Sequence, residues 1–298
     1  MRRFRTLLTV SASVSLFACG SSSDTVPGAP TDVSVASGTA AGTAVVSFDR
    51  PASSGGSAIT HYTVTATATG TSANPVTATA ASSPITMTGL APKTAYTYSV
   101  TAANGSGDSA AATTGLLSFY SVVETFFEPM LSQGTTVDTT FTGTFTYDAT
   151  NKAVSNLTGS LTEAMMPPDT VSLTHQLSST PMTLGGQSGL LVTTFFLTTT
   201  NTFDPSGFAP GGTEYYGAST GAENPGQGGV GNAYAMIFVE AADPAAALAQ
   251  AQIDMLAYAD CTAQGMMGTT CMTGTTAAGY GAVGTMGGYP VSQVTTQQ

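Results

Sequence analysis

The chain has 298 residues, of which 42% are hydrophobic, enough for about two domains at roughly 150 residues each. Charged residues make up only 8%, against about 25% in an average domain, and Trp is absent; this argues against a cytosolic helical enzyme or a coiled coil and favours β-structure with many Gly, Ser and Thr turns. Six Lys+Arg face 17 Asp+Glu, for a formal charge of -11, and a partner made of nucleic acid is disfavoured because phosphate neutralisation needs clustered Lys and Arg.

The first residues carry the parts of an export signal. Arg2, Arg3 and Arg5 form a basic region, followed by an apolar run from Leu7 to Phe17. That run is short of the ~20 residues that span a bilayer. Leu16-Phe17-Ala18-Cys19-Gly20 then resembles the bacterial lipobox. The resemblance implies a signal peptide at 1–18, cleavage before Cys19 and a diacylglycerol on its sulfur. An ordinary signal peptide with an incidental Cys is the alternative. Residues 19–26 read as a flexible tether. Gly20 stands where inner-membrane retention uses Asp, so the same resemblance implies a lipid-anchored protein of the outer membrane or cell surface. The mature chain would be anchored to the membrane and not span it.

Residues 27–115 read as short strands separated by turn signals, the pattern of a sandwich. The strands are expected at 33–35, 44–48, 59–67, 76–80, 85–90, 94–103 and 109–114. Pro27 and Pro30, Phe48-x-x-Pro51 and Gly55-Gly56-x-x-Ile59-x-x-Tyr62-x-Val64 recur in a known order, as does the run from Leu90 through Tyr96, Tyr98, Val100 and Ala102 to Gly107. This stretch resembles a fibronectin type III domain. The resemblance implies that Phe48 replaces the usual core Trp, that Tyr62 and Leu90 are core residues, and that Tyr96 is a tyrosine corner bonding back to nearby backbone. No Arg precedes a Gly-Asp in the loop at 104–108, so an adhesive Arg-Gly-Asp site is not supported. Domains similar to this one often serve as spacers, and a superfold by itself carries no site.

Residues 116–298 match no family pattern and read as a β-rich unit. Phe119 to Phe127 is apolar and aromatic. Thr139 to Tyr147 alternates, with aromatics on one face, and Asp148 to Lys152 turns the chain into a return strand at 153–161; this is a hairpin. It loosely resembles a hairpin of exported bacterial β-domains. Val171 to Leu177 and Gly189 to Thr199 read as strands, the second apolar on both faces and therefore central. A long Gly- and Pro-rich loop spans 202–231, of a length that is often functional. A strand at 233–240 follows. Asp243 and Pro244 signal a helix start, with Ala245 to Ala259 helical and Leu248, Ala251, Met255, Leu256 and Ala259 on one face. Tyr289 to Val294 reads as a last strand, confined to an edge by Pro290. The fold class is mainly β: an immunoglobulin-like (fibronectin type III) sandwich followed by a β-rich α+β domain with one helix.

Candidate chemistry is sparse. Cys261 and Cys271 lie ten apart in an exported chain, and a disulfide is the natural reading. His61 and His175 are the only histidines; neither sits in a catalytic motif, and structural positions on strands account for both. Glu124 and Glu128 are spaced as a carboxylate pair that glycoside hydrolysis could use, but a solvent-facing Glu124 is the simpler account. In the long loop, Tyr215 and Tyr216 are candidate ligand-binding aromatics, with Asp204 and Glu214 beside them. No cofactor is called for. Calcium is the metal that the oxygens of Asp204, Glu214 and Glu223 would suit. Twelve Met, including Met266, Met267 and Met272, read as packing filler and not as a copper cluster.

The expectation from these readings is a non-enzymatic cell-surface lipoprotein. Its fibronectin-type module would act as a spacer, and its second unit would bind a glycan or surface protein. A secreted hydrolase of polysaccharide or peptide and a purely structural envelope component are the alternatives. Few His, Lys and Arg weigh against the hydrolase. If the lipobox reading holds, Cys19→Ala moves the protein from the membrane fraction to the soluble fraction on cell fractionation; a variant that stays membrane-bound would refute the anchor.

Overall fold

The computed structural model describes residues 24–70, 72–127, 138–162, 170–177, 179–184, 186–196, 233–254, 256, 258–259, 273–274 and 289–298. The chain is mainly β, with a single short helix among these residues. None of the described helices is long and apolar enough to cross a membrane.

Seven strands and a two-residue eighth build the first sandwich. One sheet holds β1 (Thr31–Ser37), β2 (Thr43–Asp49) and β5 (Ile85–Thr88) in the order β1-β2-β5. The other holds β4 (Val76–Ala80), β3 (His61–Ala68), β6 (Tyr96–Asn104) and β8 (Ala112–Phe127) side by side, with the two-residue β7 (Gly107–Asp108) on β6. Alternation decides which side chains go inside: Ala44, Val46 and Phe48 of β2 face Tyr62, Val64 and Ala66 of β3 and Tyr96, Tyr98 and Val100 of β6, as period-2 strands require. Phe48 is buried and packs against Tyr62 with ring centroids 4.8 Å apart.

The strand β8 departs from the expected pattern. Two strands, at 109–114 and 119–127, are foreseen from the sequence; the chain instead forms one 16-residue strand. Its first part pairs with β6, from Val100↔Ala112 to Tyr96↔Leu117. Its later part pairs with β9 (Thr139–Asp148) on one side, from Leu117↔Asp148 to Phe126↔Thr139. On the other side it pairs with β18 (Tyr289–Gln297), from Tyr120↔Gln297 to Phe127↔Tyr289. No Gly or Pro turn lies between 116 and 127 to stop it. The sheet of the first sandwich therefore continues through β8 into β9, β10 (Ala153–Thr162) and β11 (Thr170–Leu173).

A second sheet covers this extension. It contains β12 (His175–Gln176), β13 (Thr180–Leu184), β14 (Gln187–Phe195), β15 (Tyr234–Glu240), β16 (Tyr258–Ala259) and β17 (Thr273–Gly274). The strand β14 lies between β12 and β13 on one side and β15 on the other. That position explains why Leu190, Leu191, Val192 and Phe195 are all buried. The chain changes sheets at Thr174: β11 ends on β10, and the Thr174 amide already donates to Phe195 O at 3.0 Å. His175 is therefore in a two-residue strand of the second sheet and not in one run with Val171. Between the sheets, Phe141, Phe145, Leu157, Leu161, Phe195, Met236, Phe238 and Tyr258 form the second core.

The helix is shorter than the sequence pattern implies. Asp243 O accepts from Ala246 N and Asp243 Oδ1 from Ala245 N, a turn that uses the expected cap residue. The helix itself, α1, covers only Gln250–Ile253, and Tyr258 already pairs with Ala235 in the sheet. Pairing with β15 takes residues that would otherwise extend the helix. Of the expected inward face, Leu256 is buried and Leu248 packs on the core, whereas Ala251 is exposed and Gln252 is buried instead. Gln252 faces inward because its side-chain oxygen accepts from Ala249 N at 2.6 Å and its amide donates to Glu240 at 3.1 Å.

Two glycines make the second core fit. Gly143 and Gly159 are direct cross-strand partners, and the fully buried Phe141 ring lies over them. A Cβ on Gly143 would sit 2.7 Å from both Phe141 Cζ and Thr158 O. Replacing Gly143 by Ala should therefore destabilise the protein by about 1–3 kcal/mol, the range for forcing extra volume into a packed core, read as a lower midpoint in urea unfolding.

Candidate functional site

Among the described residues, a groove of about 300 Å³ opens between two loops of the first module, beside the end of β18, a size at the lower end of small-ligand sites. One wall is the β1–β2 connection, residues 37–43. A second is the segment from Leu90 to Tyr96. Phe119 of β8 and Gln298, beyond the end of β18, complete it.

Local chemistry shapes each wall. Gly42 has φ +69°, and a Cβ there would meet Leu90 O at 2.7 Å, so a glycine lets the two walls approach. Gly42 O accepts from Leu90 N at 3.0 Å, and Thr43 Oγ1 donates to Ala40 O at 2.6 Å. On the opposite wall the Tyr96 hydroxyl accepts from Ala91 N at 2.8 Å, and Thr94 Oγ1 donates to Pro92 O at 3.0 Å. Gln298 is held three times: its amide donates to Phe119 O at 3.0 Å, its carbonyl accepts from Lys93 N at 2.6 Å, and its side chain accepts from Ser37 Oγ at 2.7 Å. The floor is apolar, from Leu90, Tyr96 and Phe119, and the rim carries hydroxyls and an amide. No lining side chain is charged. Such a groove suits an uncharged group with an apolar body and a few hydrogen-bonding atoms.

Sequence reasoning does not find this groove. Ser37 and Gln298 are 261 positions apart, and no motif links them. The one available signal is Tyr96, whose corner geometry sets the Leu90–Tyr96 wall.

The residues singled out from the sequence fall in two groups. Phe48, Tyr62, Leu90 and Tyr96 are all buried in the first core. Cys19, Cys261, Cys271, Asp204, Glu214, Tyr215, Tyr216 and Glu223 lie outside the described residues, as do Glu128 and the methionines at 165–166, 266–267, 272 and 286. His61 is exposed at the start of β3, its Nδ1 3.0 Å from Thr60 Oγ1. Among the described residues no three His, Cys, Asp or Glu gather as metal ligands.

Glu124 corrects the sequence reading. It is fully buried, not solvent-facing. On β8 it alternates in phase with Tyr120, Val122 and Phe126, which point into the second core, so the period of the strand carries it inside. Neither carboxylate oxygen has a hydrogen-bond partner, and burial raises its pKa well above the ordinary carboxylate range. Burial likewise pushes up the Tyr98 phenol, whose hydroxyl is also unpaired.

Comparison with known proteins places the first unit. Residues 28–115 match the fibronectin type III domain, and their three-plus-four strand arrangement is the sandwich that this domain forms. The first module is a fibronectin type III domain. Among solved structures, domains A168-A170 from titin are 32% identical over 30% of this chain and 32% of that one, with a TM-score of 0.26. The twitchin kinase region from C. elegans is 24% identical over 30% and 16%, with a TM-score of 0.28. The FN1-FN3 domains of chicken CNTN1 align over 92% of this chain and 99% of that one at 9% identity, with a TM-score of 0.26. The chain covers about a third or less of the titin and twitchin chains. No curated protein matches.

Tyr96→Phe removes the acceptor for Ala91 N at the groove wall. It should cost about 1–3 kcal/mol, the penalty of leaving a partly buried amide unpaired, measured by urea unfolding of the full chain.

Proposed function

We propose that this chain is a non-enzymatic, lipid-anchored cell-envelope protein whose fibronectin type III domain is a rigid stalk for a ligand-binding β-sandwich. The observation that carries the reading is β8. A flexible linker would let the second unit tumble; here the last strand of the first module is also a strand of the second. The junction is tied again where Thr146 Oγ1 and Asn156 Nδ2 of the second unit donate to Val35 O of the first, at 2.9 and 3.0 Å. A pre-set orientation lowers the ordering cost of engaging a partner. The acidic chain and the Gly- and Pro-rich residues 202–231, with Tyr215, Tyr216, Asp204 and Glu214, make an extracellular glycan or surface protein the proposed ligand, at the outer membrane or cell surface of a bacterium. Calcium is the proposed metal for the oxygens of Asp204, Glu214 and Glu223.

The test uses the full mature chain, because a fragment starting at 116 would cut β8. Binding on a glycan and peptidoglycan array, with and without calcium, should fall about tenfold for Tyr215→Ala or Asp204→Ala, a loss of ~1.4 kcal/mol. An array silent for the wild type while the chain still melts cooperatively would turn the reading towards a structural role or a protein partner.

A further inference from the structure

Glu124 is fully buried and has no partner for either oxygen. Among the described residues, its cross-strand partners are neutral. On β9 the residue opposite is Phe141, with Thr139 and Gly143 flanking it. On β18 the residue opposite is Gln293. That amide is already committed: its oxygen accepts from Phe238 N at 2.9 Å, and its nitrogen donates to Phe238 O at 2.7 Å and Thr295 Oγ1 at 3.2 Å. Phe238 and Tyr258 of the facing sheet belong to the same core, the Tyr258 ring tilted against Phe126 with centroids 4.2 Å apart. Glu240, two residues beyond Phe238, is held by Gln252 of α1, and Asp254 of that helix end pairs with Gln250 at 2.7 Å on the exposed side. The described cations are elsewhere. Arg50 and Lys93 belong to the first module, and Lys152 lies over the Tyr147 ring with Nζ 3.2 Å from Ala241 O.

A carboxylate in such a place faces a desolvation cost with no charge or hydrogen bond to offset it. A neutral carboxyl does not. We propose that Glu124 makes the packing of the second sandwich pH-dependent: protonated, it lets the two sheets close over it, and ionised, it loosens them. The sign follows from linkage. The folded state holds this proton more tightly than the unfolded chain, so the stabilising contribution is complete below the ordinary carboxylate range. It is lost as pH rises towards the raised value.

Native-state hydrogen exchange at the amides of Phe141 and Phe238, corrected for intrinsic rates, tests this on the full chain. The wild-type opening constant should rise by about tenfold per pH unit above the ordinary carboxylate range, while Glu124→Gln stays flat and Val64, in the first core, serves as the control. Parallel pH curves for wild type and Glu124→Gln would overturn the proposal. A variant that does not fold leaves a second measurement on the wild type. With glutamate carboxyls labelled by ¹³C, one signal should remain protonated well above the ordinary range; titration of all of them within that range would overturn the proposal as well.

Discussion

The shared strand β8 is the constraint on which the rest of this structure depends. Because side chains alternate along a strand, one 16-residue element can line two cores from opposite faces. Leu117 and Phe119 pack into the first module, and Tyr120, Val122 and Phe126 into the second. Every strand hydrogen bond that β8 makes to β6, β9 or β18 therefore also sets the angle between the two sandwiches. Rotating one against the other would break a ladder, not bend a linker.

The strand β18 completes that arrangement from the far end of the sequence. It runs along β8, places Gln298 between the loops of the first module, and turns Gln293 inward. The Gln293 side chain pairs with both backbone groups of Phe238, so an amide side chain acts as one rung of a strand between two sheets that are not themselves hydrogen-bonded. Buried polar groups of this kind are tolerable when every atom is satisfied. Gln293 meets that condition, and its cross-strand neighbour Glu124 does not. The contrast between the two explains why one reads as a structural clamp and the other as a site where packing and ionisation compete.

The first module was legible because its signals are local. Period-2 alternation, Pro and Gly at turns, and the spacing around Tyr96 each operate within a few residues, and the core residues Phe48, Tyr62 and Leu90 follow from them. The hairpin of β9 and β10 was legible for the same reason: Asp148 accepts from Thr150 N and Asn151 N and turns the chain by itself. Where expectation and structure part, a distant partner intervenes. The run 109–127 looks like two strands until β9 and β18 supply continuous pairing. The run 245–259 looks like a helix until β15 claims Tyr258.

Sequence by itself determined the β class, the fibronectin type III module, the hairpin that follows it and the apolar identity of most core positions, since these depend on alternation and turn chemistry that neighbouring residues carry. Only the tertiary structure decided that β8 belongs to both sandwiches, that Ser37, Phe119 and Gln298 line one groove, and that Glu124 points inward. Those outcomes depend on which strand pairs with which across more than a hundred residues. A strand's alternation says that it has two faces, but the pairing of distant strands chooses which face is enclosed.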